Sequence, residues 1–394
     1  MTAVAEARRR LVVAGISVRA LAESARQGGW QVIALDLFGD VDTRRASVHW
    51  APIGEPSALR IDPLLLGQEL HRAARHPGVD GWVPASGFEG APELLAAGGA
   101  ALPCLAIEPS GMQRVRDPAR FFGALDRHRL RHPRVSFDPP ADPVGWLAKR
   151  SGGCGGVHIR DAAQVLADPA SRHADTYFQR RQSGTPMSAL FVADGARLRL
   201  VALNRLIVRA VWPLPCVYAG AVGPLSDDRL EQAVDVALSA LVPEFELRGL
   251  ASLDFLADES GAHWLEVNPR PSATLQLHAD AWPAGLVRVH VDAMRGRLPA
   301  TAPHRSPGVR GHLTVFADRV GLVGSEAAHD PVEWPHAHDL PSPGTRFARG
   351  EPICTVSAQA GGVDDTLRLL DARAARARRR FTSGSALPAE EFPA

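Results

Sequence analysis

Two carboxylates, an amide and a guanidinium lie within one short stretch of the sequence, and together they could hold a metal ion beside a phosphate group. The stretch runs from 249 to 272 and contains Asp254, Glu266, Asn268 and Arg270. Carboxylate and amide oxygens suit magnesium, which proteins commonly bind through one or two carboxylates together with substrate phosphates. A guanidinium offers a fixed fork of donors that matches phosphoryl oxygens. These residue types indicate a metal-assisted nucleotide site.

The pattern of this stretch predicts a β-hairpin that would bring the side chains together. Its arms have strand-like patterns, and the turn residues 258–261 separate them. If the turn centres on Ser260, Asp254 lies opposite Glu266, and Asn268 shares the face of Glu266. Two facing carboxylates repel each other unless a cation lies between them, which indicates a divalent ion. Taken singly, the two acids would also suit the solvated face of an edge hairpin.

A second group of residues with phosphate chemistry lies upstream, where a lysine precedes a glycine-rich loop. Lys149 follows a predicted strand, and the loop glycines are Gly152, Gly153, Gly155 and Gly156. Glycines let backbone N–H groups approach phosphates and let a loop close as a lid, while an ammonium neutralises charge. This order differs from a Walker A motif, in which the lysine follows the glycines. A surface turn with a solvated lysine is the competing interpretation.

The ordered set of Asp254, Glu-x-Asn and Pro-Arg resembles the metal-binding signature of the ATP-grasp superfamily, the fold of D-alanine:D-alanine ligase and biotin carboxylase. The lysine–glycine loop and the strand that begins at Thr176 support the resemblance. The run that begins at Ser17 is similar to a subgroup of predicted ATP-dependent carboligases related to biotin carboxylase. The resemblance covers roughly residues 10–380, and only the hairpin motif is specific.

The resemblance implies a role for each of these residues. Asp254, Glu266 and Asn268 would hold one or two magnesium ions, for which manganese could substitute. Lys149 would contact the α- and β-phosphates of ATP, and Arg270 would stabilise the transferring group. The loop glycines named above would cover the phosphates.

The strand that begins at Thr176 matches the family's hinge, whose backbone pairs with adenine. The resemblance therefore assigns Gln179, Arg180 and Arg181 to the nucleotide site. Gln179 stands where an acid often binds the ribose or the adenine amino group, so this chain departs from the family's pattern at that position.

The N-terminal part of the chain predicts a Rossmann-like domain. The apolar runs 10–17 and 30–36 flank a helix-favouring segment and predict a βαβ unit with a parallel sheet. Further strands are predicted at 81–84 and from Pro103. Ligands of such sheets lie beyond the carboxyl ends of the strands.

Four polar residues follow those strand ends: Ser17, Arg19, Ser86 and Glu89. The resemblance implies that this domain helps to bind the acceptor substrate, so these residues are candidates for that site. Ordinary helix capping and solvated loop side chains are the alternative for each of them. The lone Gly15 does not make a dinucleotide fingerprint, which disfavours a dehydrogenase.

The predicted fold class is α/β (α+β), with ATP-grasp subdomains between a Rossmann-like domain and a small β-rich C-terminal cap. An amphipathic helix is also predicted at 277–296. The predicted domains are an N-terminal domain at 1–110, an ATP-grasp domain at 111–300 with a lid subdomain at about 140–182 and a metal-bearing subdomain at about 183–300, and a C-terminal segment with a closing helix at 301–394.

Composition excludes several classes of protein. The 44 basic and 43 acidic residues nearly cancel, and 45% of the residues are hydrophobic, which disfavours nucleic acid and membrane surfaces as partners. The four cysteines show no metal-binding spacing, and the N-terminus lacks a signal-peptide pattern. We therefore expect a cytoplasmic protein with small-molecule partners, and a homodimer remains open.

The predicted activity is that of an ATP-grasp carbon–nitrogen ligase, which activates a small carboxylate as an acylphosphate and couples it to an amine, with release of ADP and phosphate. A carboxylase that uses ATP and bicarbonate is one alternative. A nucleotide-binding regulator without turnover is another. The sequence leaves the identity of the acid and of the amine open.

Overall fold

The computed structural model of the protein describes residues 9–211, 214–324 and 335–382. The predicted C-terminal segment therefore extends, beyond 382, outside the described residues. No helix in the described ranges is long and apolar enough to cross a membrane.

A parallel four-stranded sheet with the order β3-β2-β1-β6 forms the N-terminal domain. Leu11, Val12 and Val13 are fully buried because helices cover both faces of the sheet, which explains the continuous apolar run of β1. The elements are β1 (Arg10–Ala14), α1 (Arg19–Gln27), β2 (Gln31–Asp36), α2 (Val41–Ala46), β3 (His49–Pro52), β4 (Gly54–Glu55), β5 (Arg60–Ile61), α3 (Pro63–Ala74), β6 (Val79–Pro84) and α4 (Pro92–Ala101).

The predicted Rossmann-like topology is confirmed with two differences in strand content. The strand expected from Pro103 is reduced to one bridge between Trp82 and Cys104. The short β3 was not predicted, because a four-residue strand with two polar or aromatic residues and a proline carries little periodic signal.

The next part of the chain forms two helices and a small antiparallel sheet with the order β7-β10-β8-β9. This sheet carries the lysine–glycine loop between β8 and β9. The elements are α5 (Pro109–Arg116), α6 (Pro118–Arg127), β7 (Val135–Ser136), β8 (Trp146–Arg150), β9 (Arg160–Asp161), α7 (Ala162–Ala167), a 3₁₀ turn (Pro169–Ser171) and β10 (Thr176–Arg180).

An eight-stranded sheet with the order β15-β14-β11-β12-β13-β16-β20-β18 occupies the rest of the chain. Its strands are β11 (Thr185–Asp194), β12 (Leu198–Val211), β13 (Leu214–Leu225), β14 (Arg248–Asp258), β15 (Gly261–Asn268), β16 (Val309–Phe316), β18 (Ala337–His338) and β20 (Pro352–Ala360). The other elements are α8 (Asp228–Phe245), a 3₁₀ helix (Ala273–His278), α9 (Leu286–Met294), the paired strands β17 (Gly321–Leu322) and β19 (Arg346–Phe347), and α10 (Val363–Thr382).

The C-terminal segment shares this sheet with the metal-bearing region. Strand β16 pairs with β13, and β20 pairs with β16. The predicted β-rich cap and closing helix are present, yet backbone hydrogen bonds of one sheet cross the predicted boundary at 300.

The predicted hairpin is present, but its turn pairs Asp258 with Gly261 and is not centred on Ser260; a register shift between Asp254 and Phe255 restores the predicted pairing of the two carboxylates. Asp254 lies opposite Glu266, and Ser252 lies opposite Asn268. The other face of the hairpin is apolar and contributes Phe255, whose ring lies 5.1 Å from that of a neighbouring tryptophan. Burial of this face fixes the register, because a slip of one residue would turn the polar face inward.

The helix predicted at 277–296 is shorter than expected. Residues Ala273–His278 form a 3₁₀ helix, and α9 covers only Leu286–Met294. Pro283 lacks the N–H that a helix interior needs, and Gly285 has a φ of 75° at the start of α9, so the chain turns before the helix begins.

Candidate functional site

The two carboxylates of the hairpin lie in different electrostatic surroundings. Asp254 accepts hydrogen bonds from Ser188 Oγ at 2.6 Å and from Asn268 Nδ2 at 3.0 Å. Burial and the negative charge of Glu266 raise the pKa of Asp254 to about 7. Glu266 accepts a hydrogen bond from Arg116 Nη1 at 2.9 Å. Burial acts against its charged form, but the cations around it lower the pKa of Glu266 to about 2.

The donor set fits a magnesium ion. Two carboxylates and the amide Asn268 face one point across a strand pair, and all of their ligand atoms are hard oxygens. A divalent cation would also relieve the repulsion that raises the pKa of Asp254. Asp254, Glu266 and Asn268 are therefore the residues that would hold the ion.

Lys149 lies in the same cluster. Its side chain is buried on β8, and its electrostatic neighbours include Glu266 and Asp254. Among the residues that the structure describes, the Lys149 ammonium makes no hydrogen bond and no ion pair. Burial lowers the pKa of Lys149. Lys149 is 7% exposed, and an ammonium without a protein partner is suited to an anion that enters from outside.

A signal for Lys149 was present in the sequence and was not used in the prediction. Lys149 is the only lysine of the chain, and the other 43 basic residues are arginines. The one lysine ammonium of the chain therefore lies in this cluster, and an ammonium is a more compact point charge than a guanidinium.

Arg116, at the end of α5, is a site residue that no sequence pattern predicted. Its guanidinium binds Glu266 and also donates to the carbonyl oxygens of Ser151, at 3.0 Å, and Gly153, at 2.6 Å. Its Nε is buried and has no partner among the described residues. Arg116 adds a third buried cation to Lys149 and Arg270, which is a favourable environment for phosphates.

The lysine–glycine loop lies over this cluster. Gly155 accepts a hydrogen bond from the backbone N–H of Tyr218 at 2.9 Å, so the loop is attached to β13. Gly155 and Gly156 both have a positive φ, which glycine adopts without strain. The structure therefore brings the predicted loop glycines, Lys149 and the hairpin together.

Arg270 forms an ion pair that was not predicted. Its Nε donates to Glu89 Oε1 at 2.6 Å, and the Glu89 side chain is only 1% exposed. Burial opposes the charged form of Glu89, but Arg270 and Arg116 outweigh it and lower the pKa of Glu89. Glu89 therefore connects the N-terminal domain to the hairpin, and Arg270 keeps its Nη1 and Nη2 groups on only weak contacts of 3.4 Å.

The predicted hinge residues lie on β10 and directly after it. Gln179 is buried, and its Nε2 has no hydrogen-bond partner among the described residues. Arg180 is exposed, lies 5.8 Å from the ring of Trp146 and donates to the carbonyl of Val144. Arg181 is exposed and is held by its backbone N–H. Of the three, Gln179 alone offers a buried, unused donor.

The residues predicted for the acceptor site are dispersed. Arg19 is 3% exposed, and its guanidinium is occupied by Asp339 at 2.8 Å, Glu23 at 2.9 Å and Gln276 at 2.8 Å. This geometry favours a structural role for Arg19, which ties α1 to two distant segments. Ser17 is exposed.

The other two acceptor residues belong to one loop. Ser86 is half-buried, and its backbone carbonyl oxygen accepts a hydrogen bond from the N–H of Ile16. Glu89, as described above, is engaged by Arg270.

A tyrosine and a histidine form a further polar pair beside the cluster. Tyr218 Oη and His312 Nε2 are 2.7 Å apart, and Asp254 and Arg270 are electrostatic neighbours of Tyr218. Burial lowers the pKa of His312 to about 3, so the ring is neutral. Its Nδ1 has no partner among the described residues. The pair therefore leaves one buried polar atom without a hydrogen-bond partner.

Comparison with known proteins agrees with this geometry. Residues 115–274 match the model of the ATP-grasp domain. No curated protein matches the chain.

Solved structures share the fold over nearly the whole chain at low sequence identity. The biotin carboxylase domain dimer of Hydrogenobacter thermophilus 2-oxoglutarate carboxylase, in complex with MgADP, ADP and bicarbonate, is 12% identical, with a TM-score of 0.69, and the alignment covers 92% of this chain and 89% of that one. The carboxyaminoimidazole ribonucleotide synthase of Aspergillus clavatus, in complex with ATP, is 14% identical, with a TM-score of 0.68 and coverage of 95% and 99%. The biotin carboxylase of Campylobacter jejuni is 11% identical, with a TM-score of 0.67 and coverage of 92% and 89%.

The matched domain lies at the centre of the site, since it contains Arg116, Lys149, the glycine loop and the whole hairpin. The Hydrogenobacter and Aspergillus structures contain ADP and ATP, respectively, in this fold. Residues 115–274 therefore match an ATP-grasp domain, and the chain shares the fold of these structures.

Proposed function

We propose that the protein is an ATP-dependent carbon–nitrogen ligase that activates a small carboxylate as an acylphosphate and couples it to an amine. The observation that carries this proposal is the ammonium of the buried residue Lys149, which has no partner among the described residues and has two facing carboxylates as electrostatic neighbours. The positive and negative charges of this site suit a ligand that brings both anionic oxygens and a divalent ion. A nucleotide with magnesium is such a ligand.

Each of these residues would have a distinct role in phosphoryl transfer. Asp254, Glu266 and Asn268 would hold magnesium, which supplies positive charge beside the phosphates. Lys149 and Arg116 would neutralise phosphate oxygens from the protein side.

Two further elements would complete the site. Arg270 would contact the transferring group through its Nη1 and Nη2 groups, while Glu89 holds its Nε. The glycine loop would exclude water from the phosphates.

The chemistry requires no protein nucleophile. An oxygen of the substrate carboxylate attacks the γ-phosphorus, the bond to the β-phosphate oxygen breaks, and ADP leaves. The amine then attacks the acyl carbon, phosphate leaves with the electrons of the acyl–oxygen bond, and the nitrogen loses a proton. Positioning and charge neutralisation are the main demands on the protein, in agreement with a site that consists of cations and oxygen ligands.

A carboxylase is the second candidate, because the Hydrogenobacter structure contains bicarbonate together with MgADP. In that case bicarbonate would take the place of the substrate carboxylate. The likeness at 12% identity concerns the fold and leaves the substrate open.

Trapping with hydroxylamine separates the candidates. The protein would be incubated with ATP, magnesium, hydroxylamine and pools of small carboxylic acids, and both ADP and hydroxamate would be measured. A ligase forms hydroxamate with one pool in bicarbonate-free buffer, because hydroxylamine captures an acylphosphate. ADP formation that depends on bicarbonate instead supports the carboxylase, and nucleotide binding without any ADP formation supports a regulator.

A further inference from the structure

The glycine loop touches the N-terminal domain backbone to backbone. Gly152 lies against Gly90, which follows Glu89 in the loop between β6 and α4. A Cβ added to Gly90 would lie 2.8 Å from the carbonyl oxygen of Gly152, and a Cβ added to Gly152 would lie 2.6 Å from Gly90 Cα. Neither position has room for a side chain, so this contact requires glycine on both sides.

Arg116 holds the same point of the lid from a different element. It donates to the carbonyl oxygens of Ser151 and Gly153, the two residues that flank Gly152. The residue that touches the N-terminal domain is therefore the one whose neighbours are fixed by a buried arginine. Two separate elements, α5 and the loop between β6 and α4, therefore contact residues 151–153 of the lid.

The loop between β6 and α4 is itself fixed. Glu89 accepts from Arg270 Nε at 2.6 Å with one carboxylate oxygen and from the backbone N–H of Gly87 at 2.7 Å with the other. Gly90 is the next residue, so its place is set by the pair that Glu89 forms with the hairpin. One short loop thus connects the metal-bearing hairpin to the lid.

We propose that the loop Ser86–Gly90 is a positioning element that holds the phosphate lid closed through the contact between Gly90 and Gly152. The loop follows the carboxyl end of β6, where ligands of a parallel sheet lie. A substrate bound there would move the loop, the lid and Arg270 together. This last step rests on the proposed function, because it requires an acceptor in the N-terminal domain.

The contact can be removed without altering any charge. Gly90→Ala adds one methyl group that forces the lid away, and Gly152→Ala makes the same change from the lid side. Gly99→Ala in α4 is the matched control, because its nearest neighbour to an added Cβ is 3.7 Å away, an ordinary contact distance. None of the three variants changes a charged side chain or a proposed metal ligand, and the digestion is done without nucleotide.

Limited trypsin digestion of the full-length protein without nucleotide reads out the lid, because Arg150 and Arg160 flank it. We expect cleavage at these two sites to be about tenfold faster in Gly90→Ala and Gly152→Ala than in the wild type, since local opening governs such cleavage. Gly99→Ala should be cut at the wild-type rate. Cleavage elsewhere and the thermal midpoint should stay close to those of the wild type in all three.

Wild-type cleavage at Arg150 and Arg160 in both contact variants would overturn the proposal. If Gly90→Ala lowers the thermal midpoint and is cut everywhere, Gly152→Ala decides, because its methyl group lies in the loop and away from any core. A failure of the wild-type protein to form ADP would count against the proposed function and would leave this comparison of cleavage rates valid.

Discussion

Replacement of the single lysine should make the protein more stable and unable to respond to nucleotide. Lys149→Met keeps a long unbranched side chain in the same buried slot and removes the ammonium. Desolvation of the ammonium is only partly offset by attraction to Glu266 and Asp254, because the pKa of Lys149 is lowered by burial in spite of these neighbours. The charged form is therefore less favourable in the folded protein than in water.

The size of the effect follows from the surroundings. Leaving a buried polar group without a partner costs about 1–3 kcal/mol, and a charged group costs more. Each additional buried methylene-sized group contributes about 0.8 kcal/mol in the other direction. With the lost attraction to the carboxylates subtracted, we expect Lys149→Met to be stabilised by about 1–2 kcal/mol, which for a chain of 394 residues corresponds to a rise in Tm of about 1–3 °C.

The assay is thermal unfolding with and without magnesium and a non-hydrolysable ATP analogue. The variant should unfold at a higher temperature than the wild type without ligand, and the ligand should shift the wild type but not the variant. Arg150→Met is the matched control on the same strand, because its side chain is 47% exposed and pairs with Asp175 at the surface. A lower Tm for ligand-free Lys149→Met, or an undiminished shift by the analogue, would refute the reasoning.

Two further predictions concern the hairpin and the core. Glu266→Gln should stay folded and lose ADP formation by orders of magnitude, because it removes magnesium charge at the phosphates; full turnover in a folded variant would exclude the metal assignment. His290 accepts from the N–H of Leu250 and donates to the carbonyl of Leu105, so only its neutral form fits, and burial lowers its pKa to about 4. Unfolded histidine binds a proton below about pH 6.5, so the contribution of His290 is complete above that pH and declines as the pH falls towards 4, by about 2 kcal/mol at pH 5. Urea unfolding at pH 7.5 and 5 should show this loss in the wild type and a smaller one in His290→Gln; equal losses would assign the acid sensitivity to other groups.

The sequence was most informative where the pattern is local. The hairpin and the facing of Asp254 and Glu266 were predicted from one turn and strand alternation, whereas the register shift between Asp254 and Phe255 that produces this pair has no local signal. The βαβ opening follows from apolar runs separated by a glycine-terminated helix. Residues that act across the fold were beyond such reasoning, because their roles depend on packing between distant segments.

Arg116 and Arg19 illustrate this limit: the first is a site residue that was not predicted, and the second was predicted as a site residue but has a structural role. Arg116 stands in a short basic helix with nothing local to mark it, yet it meets Glu266, which is 150 positions away. Arg19 follows a strand end, as a ligand-binding residue would. Its guanidinium nevertheless donates to Asp339 and Gln276, which are 320 and 257 positions away in the sequence. A cation's partners decide its role, and neither partner was visible from the local pattern.

The shared eight-stranded sheet has a consequence for folding of the protein during translation. Strand β13 ends at Leu225, and its neighbour β16 begins only at Val309, so translation delivers the hairpin and its ligands long before the sheet can be completed. During that interval β13 offers an open row of backbone donors and acceptors to any other nascent chain. Pairing of β16 with β13 thus protects the protein against association with other chains. Expression of a chain that stops near 300 should therefore yield insoluble protein, although every proposed metal ligand is present.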